Sequence, residues 1–243
     1  MNLLLCISRI SFCLAILAIF TTVHAATPPF TEDFSADVAD WADAGSSPLS
    51  FVGTGGPDGS GYASTDFDFS SGGGAGGGDA VLFRAHDEFG TSGSSGGAFV
   101  GNWIADGVRE FSVFVRHNAP VPLNYFVRAS GPFNFPGSTA VQFVPVIPNV
   151  WTEVTFDVSS SSSQIVTFEG TSYNAVFSNI GHVQLGVTIP AGFETNPTPF
   201  TFDLDQVTIQ TPEPSTLLLA GIALVPFFSN RRPNNLNFRR RIQ

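Results

Sequence analysis

Val150-Trp151-Thr152-Glu153-Val154-Thr155-Phe156-Asp157-Val158 alternates along its length: Val150, Val154, Phe156 and Val158 share one face, while Glu153, Thr155 and Asp157 share the other. Successive side chains of an extended chain point to opposite sides, so this pattern is a strand with one face buried and one wet. Phe111, Val113 and Val115 repeat it, as do Val183, Leu185, Val187 and Ile189. Apolar runs predict further strands around 80–84, 98–104, 121–129, 140–147, 164–169 and 200–209, and no amphipathic helix stands out between 27 and 211. The Gly/Ser-rich stretches 53–61, 70–78 and 90–97 read as loops, and Ser159 to Ser163 as a flexible hairpin connection. About ten short strands joined by Gly, Pro and Ser make an all-β chain, an antiparallel β-sandwich. Jelly roll is the expected topology, because such sandwiches bring their first and last strands together. The chain's 25 phenylalanines would fill much of the core.

Outside this body, 26–210, the two ends have different compositions. Arg9 is the only charge in the first 31 residues, Ile10 to Phe20 is almost wholly apolar, and Val23-His24-Ala25 offers small or branched residues where a signal peptidase reads. Residues 1–25 therefore read as a secretory signal peptide cleaved after Ala25, against the alternative of a retained anchor, for which 11 apolar residues are short. Cys6 and Cys13 both fall inside it, so the exported domain is expected to have neither thiol nor disulfide. Ser11-Phe12 lacks the small residues that would make Cys13 a lipoprotein acceptor.

The body carries 19 of the 20 acidic residues, Glu213 of the tail being the other, against Arg84, Arg109, Arg116 and Arg128, and the chain has no lysine. Such a surplus of negative charge repels phosphate backbones and anionic lipid surfaces, which excludes nucleic acid as a partner and leaves divalent cations and neutral glycans open.

The tail, 211–243, opens on Thr211-Pro212-Glu213-Pro214-Ser215-Thr216, continues as an apolar run from Leu217 to Phe228, and ends with Arg231, Arg232 and a second cluster at Arg239 to Arg241. Twelve apolar residues span about 18 Å as a helix, short of the roughly 30 Å hydrocarbon core. Extension to Ser215 and Asn230 with snorkelling arginines makes a marginal span, oriented with the body across the membrane from the arginines. Pro226 interrupts its helical hydrogen bonding. A plain C-terminal anchor is the alternative reading.

The order of these parts resembles the PEP-CTERM sorting domain, with Pro212-Glu213-Pro214 as the motif, Leu217 to Phe228 as the single hydrophobic helix and Arg231-Arg232 as the basic cluster. That resemblance implies an exosortase as processing partner beside signal peptidase, and a Gram-negative-type host with an exopolysaccharide system. It implies transient inner-membrane anchoring, removal of the tail near the motif, and a final place at the cell surface or outside the cell. Glu213 is then a recognition residue without a catalytic role.

A looser resemblance lies in the body. Phe30-Thr31-Glu32-Asp33-Phe34, the Trp151-to-Asp157 segment and Phe202-Asp203-Leu204-Asp205-Gln206-Val207-Thr208-Ile209 are similar to landmarks of carbohydrate-binding-module-type jelly rolls. In those modules an acid near the first strand and one on the last often hold a structural Ca²⁺. The candidates so implied are Glu32, Asp33, Asp203 and Asp205, residue types that suit a hard cation. Asp58, within Gly55-Gly56-Pro57-Asp58-Gly59-Ser60-Gly61, reads as a turn residue.

Glycan binding needs exposed rings as stacking platforms, and Trp41 and Tyr62 are the first candidates. Tyr125 and Tyr173 come after them, and Trp103 and Trp151 lie in strand patterns that favour the core. His86-Asp87-Glu88 is the one place where an imidazole and carboxylates crowd together, but it has no second histidine, cysteine or nucleophile nearby. His117 and His182 carry no motif, no Gly-x-Ser-x-Gly or His-Glu-x-x-His occurs, and Gly72 to Gly78 lacks a phosphate-loop Lys-Ser/Thr. The expectation is an exported, non-enzymatic structural or carbohydrate-associated protein. The alternatives are a surface glycoside-active enzyme using two of the many carboxylates, or a binding module for another polymer.

Overall fold

The computed structural model describes residues 28–72, 78–86 and 93–211; the expected signal peptide, the Pro-Glu-Pro motif, the Leu217 to Phe228 segment and the terminal arginines lie outside them. The described chain forms eleven strands: β1 (Phe30–Glu32), β2 (Ser50–Val52), β3 (Tyr62–Asp68), β4 (Asp79–His86), β5 (Glu110–His117), β6 (Tyr125–Ser130), β7 (Gly137–Val141), β8 (Thr152–Asp157), β9 (Ile165–Thr167), β10 (His182–Thr188) and β11 (Pro199–Gln210). One short helix, α1 (Tyr173–Phe177), precedes β10. No described helix is long and apolar enough to cross a membrane.

The strands make two antiparallel sheets, one ordered β2-β3-β11-β5-β8 and the other β4-β10-β6-β7-β9, in a jelly-roll-like sandwich. Its first and last strands pair, Phe30 opposite Ile209 and Glu32 opposite Val207. Alternation explains the core. Phe111, Val113 and Val115 of β5, Val154 and Phe156 of β8, and Phe202, Leu204 and Ile209 of β11 turn inward to meet Leu82, Val127, Val183 and Leu185 of the facing sheet. Burying each large apolar side chain contributes roughly 1.5–3 kcal/mol, which lets the domain fold without disulfides.

The strand read from Val150 to Val158 is shorter than its pattern: Val150 is exposed and precedes β8, while Val158 is buried just after it. Residues 98–104 are turns instead of a strand, and Phe99 and Trp103 plug the core from there, the Trp103 indole N–H donating to the Phe99 carbonyl. Strands β1, β2 and β3 and helix α1 carry too few branched apolar residues for their patterns to show.

Strand β11 has three neighbours. Its first half pairs with β3 as far as Leu204, its second half pairs with β1 from Val207, and β5 lines the other flank. The register against β5 slips between Asp205 and Thr208, and Gln206 takes φ +47°. Such a bulge re-aims side chains where one partner strand gives way to the next.

Candidate functional site

On the outer face of the six-stranded sheet, Ser64 of β3, Asp203 of β11 and Arg116 of β5 stand opposite one another in register. The Ser64 hydroxyl donates to Asp203 Oδ1 at 2.8 Å and Arg116 Nε donates to Oδ2 at 2.8 Å. Burial works against the Arg116 charge, but the bond and charge of Asp203 outweigh it and hold the guanidinium pKa above its ordinary value. The guanidinium carbon lies 4.6 Å from the centroid of the Trp151 ring and 5.1 Å from that of Tyr62. Those two rings meet edge to face, centroids 5.3 Å apart at 80°. Arg116 thus sits in an aromatic corner, its positive charge against two ring faces.

Tyr62 and Arg116 of this corner line a groove of about 430 Å³ together with Ser64, Asn118, Asn149, Thr201 and Asp203, and the Trp151 ring backs Arg116 from beside it. Asn118 Oδ1 accepts the Thr201 N–H, and the Asn149 N–H donates to the His117 carbonyl, so the loops at the ends of β5 and β11 are pinned to the rim. The lining mixes amides, hydroxyls, one neutralised ion pair and aromatic ring surface. That combination suits a polyhydroxylated ligand, whose hydroxyls need donors and acceptors and whose C–H faces need apolar rings.

A second feature lies where β11 changes partner. Asp205 is completely buried, its Oδ1 accepts the Gln206 N–H at 2.7 Å, and its Oδ2 has no hydrogen-bond partner. Burial first, then the charges of Asp58, Asp33 and Glu32, push its carboxyl up to about 7 against the pull of the Gln206 N–H. Gly56 packs onto it so closely that a Cβ added there would lie 2.6 Å from Asp205 Oδ2, 3.1 Å from the Gly61 carbonyl oxygen and 3.2 Å from the Ser60 carbonyl oxygen. Those three oxygens crowd the Gly56 Cα and leave no space for a side chain there. No group of three or more His, Cys, Asp and Glu side chains gathers among the described residues.

Of the residues singled out in the sequence, Tyr62 is at the groove. Trp41 is 1% exposed, packed edge-on against Phe34 and Phe99 with its indole N–H on Ser95 Oγ, so its ring is core and presents no face to a sugar. Asp203 and Asp205 stand two residues apart on one face, but Asp203 has both oxygens engaged by Ser64 and Arg116, while Asp205 Oδ2 accepts no hydrogen bond. Glu32 and Asp33 accept the nearby N–H groups of Phe34 and Ser35 and stand close enough to raise the Asp205 pKa. Asp58 is a turn residue, bonded to the Ser60 N–H, and it also bears on Asp205.

Trp103 and Tyr125 are fully buried, and Tyr173 stacks on Phe177. His117 is buried against Phe202, and burial lowers its pKa. His86 pairs with His182 across β4 and β10, while Asp87 and Glu88 lie outside the described residues. Sequence reasoning missed Arg116, Trp151, Asn118 and Asn149. The available signal was that Trp151 stands at the mouth of a strand and that Arg116 is one of only four arginines in the body.

A jelly-roll sandwich is also the form of the solved structures to which the chain is similar, and these are carbohydrate-binding modules. The C-terminal family 22 carbohydrate-binding module of Clostridium thermocellum Xyn10B shares 12% identity over 76% of this chain and 94% of its own, with a TM-score of 0.44. The family 11 module of the Clostridium thermocellum cellulase Lic26A-Cel5E shares 10% over 77% and 96%, with a TM-score of 0.41. A two-module xylanase structure from the same organism, complexed with xylohexaose, matches at 14% identity and a TM-score of 0.42 over 76% of this chain, which spans 28% of that longer one. No curated protein sequence matches the chain. The tail carries the family match: residues 210–232 match the PEP-CTERM protein-sorting motif, which marks the chain for export and exosortase sorting.

Proposed function

We propose that this is a non-enzymatic surface or matrix protein that binds a neutral polysaccharide in the groove lined by Tyr62, Arg116 and Asp203, beside the Trp151 ring that packs on Arg116. The observation that carries the reading is the aromatic corner closed by Arg116 beside a lining of amides and hydroxyls. The Arg116–Asp203 pair leaves the floor without net charge, and the acidic body disfavours polyanions at low ionic strength. The tail would hold the chain in the inner membrane through Leu217 to Phe228 until an exosortase removes it near Pro212-Glu213-Pro214. The protein would then stay at the cell surface or in exopolysaccharide.

The test is affinity electrophoresis of the full chain through gels containing a panel of neutral and uronic-acid polysaccharides. Retardation by at least one neutral polymer, lost in Trp151→Ala and Tyr62→Ala, is expected. Removing half a ring face from a contact forfeits about 1.5–2 kcal/mol, roughly a tenfold to thirtyfold loss of affinity. Retardation that survives both substitutions would overturn the groove assignment. Release of reducing ends from the retained polymer would move the protein to the glycoside-active class. Mass spectrometry of protein matured in a host with an exosortase should find a C-terminus near the motif; one still ending at Gln243 would refute processing.

A further inference from the structure

Strand β11 ends at Gln210, opposite Glu110 at the start of β5, so residues 212–243 leave the body from that end. Main-chain bonds tie the same end to the hairpin between β6 and β7. The Arg109 N–H donates to the Gln210 carbonyl at 2.9 Å, and the Ile104 N–H to the Phe177 carbonyl at 3.4 Å. Gly101 and Ile180 exchange bonds of 2.8 Å, and the Gly181 N–H donates to the carbonyl of Ser130, the last residue of β6. The groove lies at the opposite end, where β5 finishes at His117 and the short 118–124 connection leads into β6.

The hairpin reads Gly131-Pro132-Phe133-Asn134-Phe135-Pro136 and carries no charge. Phe133 is 86% exposed and Phe135 64%. Their turn is braced. The Gly131 N–H donates to the Pro136 carbonyl at 3.0 Å and the Asn134 N–H to the Gly131 carbonyl at 2.9 Å. Asn134, at φ +59° between the two rings, takes Arg128 Nη1 and the Ser130 hydroxyl on its Oδ1 and Arg128 Nη2 on its carbonyl. Two phenylalanines held in water by a turn this well bonded mark a contact surface.

The chain outside the described residues says what that surface meets. Only residues 212–216 separate Thr211 from the apolar run that starts at Leu217, and fully extended they allow about 20 Å between the two. A tail anchored in a bilayer therefore keeps this end of the body against the lipid.

We propose that the Phe133–Phe135 hairpin is a membrane-contact point: while the tail is anchored, both rings enter the interfacial layer of the bilayer and hold the body with its groove turned outward. This rests on the tail acting as an anchor, as proposed above. Aromatic rings favour the boundary between headgroups and acyl chains, and an uncharged tip brings no ionised group to be desolvated there. A protein partner fits less well, because two rings offer far less than the roughly 800 Å² per side of a stable interface. On a bilayer the tether supplies the missing affinity as effective concentration. The 12 residues of β11 span about 40 Å at the strand rise, which carries the groove clear of the lipid and toward polymer outside.

The test uses the chain isolated from an exporting host that lacks an exosortase, so that the tail stays on, taken up into phosphatidylcholine vesicles. Phe133→Trp places an indole at the tip. Trp41 and Trp103 are core and Trp151 packs on Arg116 by the groove, so quenching by acyl-brominated phosphatidylcholine beyond that of the parent reports on residue 133. Val144→Trp is the control: Val144 is 71% exposed, but it stands two residues before Val146, which bridges to Leu123 at the groove end. Quenching is expected at 133 and none beyond the parent at 144. The double variant Phe133→Ser, Phe135→Ser should partition into vesicles at least about tenfold more weakly, with Tm and polysaccharide retention equal to the parent.

Flotation of the parent with vesicles but without quenching at 133, or with equal quenching at 133 and 144, would overturn the hairpin contact and leave the anchor standing. A parent that does not float would overturn the anchor and the hairpin contact with it. Absence of quenching together with slower tail removal from the double variant in an exosortase host would assign the two rings to that enzyme and overturn their contact with lipid.

Discussion

Two arginines, each paired to an acid on an outer sheet face, are put to different uses. Arg128 of β6 is saturated: Nε and Nη2 grip Glu169 at 2.6 and 2.8 Å, Nη1 donates to Asn134 Oδ1 and Gln184, and Nη2 also donates to the Asn134 carbonyl. Glu169 in turn accepts the Gly137 N–H. Arg116 gives Nε to Asp203 and lays its planar group against Tyr62 and Trp151 at the edge of a groove. A guanidinium with every donor committed inside the fold is a clamp. One that keeps donors and a planar face at a concave surface is available to a ligand.

Arg→Lys at each position should separate the two roles. At Arg128 the ammonium cannot reproduce the fork, several charge-assisted bonds go, and Glu169 is left partly buried with a poorer partner. The expected cost is about 2 kcal/mol, a fall in Tm of roughly 4–8 °C for a domain of this size, with polysaccharide retention intact. At Arg116 the point charge can still reach Asp203, so stability should fall by less than about 1 kcal/mol. The planar contact with two rings is lost, however, and retention should weaken severalfold. Equal melting losses at the two sites, or a retention loss at Arg128, would remove the distinction.

A smaller and more local effect is expected from Ser64→Ala. It removes one of the two bonds that fix Asp203, with no charge change and little volume change. The expected loss is about 1 kcal/mol in urea unfolding. Arg116 keeps its partner but gains freedom to swing from the corner, so a modest drop in retention should accompany it. Retention equal to that of the parent would show that Asp203 needs only Arg116 to hold its rotamer.

The contrast between the two arginines could not be read from the sequence, although the fold that makes it possible could. Alternation in β5, β8 and β10 gave away which residues turn into the core, and the Gly/Ser stretches gave away the turns; that the other face of β10 is also buried it did not show. Strand β3, Tyr62-Ala63-Ser64-Thr65-Asp66-Phe67-Asp68, was invisible because two of its inward residues are the small Ala63 and the polar Thr65, and because Tyr62 and Ser64 on its outer face line the groove.

Trp41 and Trp151 show the same limit. Trp41 sits among acids and alanines and reads as exposed, yet Phe34 and Phe99, far apart in sequence, enclose it. Trp151 reads as the start of an apolar strand, yet the strand starts one residue later and the ring turns outward to a loop near residue 55. Asp205 was legible as an acid on the last strand, but its complete burial and the packing of Gly56 onto it depend on a loop some 150 residues away in sequence. Long-range partners decide such cases, and periodicity carries no information about them.

The finest way to sharpen the comparison is pH. Glu169 has its pKa lowered, first by the hydrogen bond from Arg128, with burial opposing and the Arg128 charge and Gly137 N–H adding to the effect. A carboxyl that holds its proton less tightly folded than unfolded contributes stability above its ordinary value of 4.5, and that contribution is lost as pH falls through the lower folded value. In Glu169→Gln this part of the titration is absent. The difference in Tm between parent and variant should therefore be largest and constant above about pH 5 and should shrink steadily as pH falls below 4.5. The Arg116–Asp203 pair offers a control, because altering Glu169 leaves it untouched. In both proteins polysaccharide retention measured above about pH 5 should be the same. A Tm difference that stays constant down to the acid transition would mean that the Arg128 clamp holds Glu169 by geometry alone, without favouring its charge.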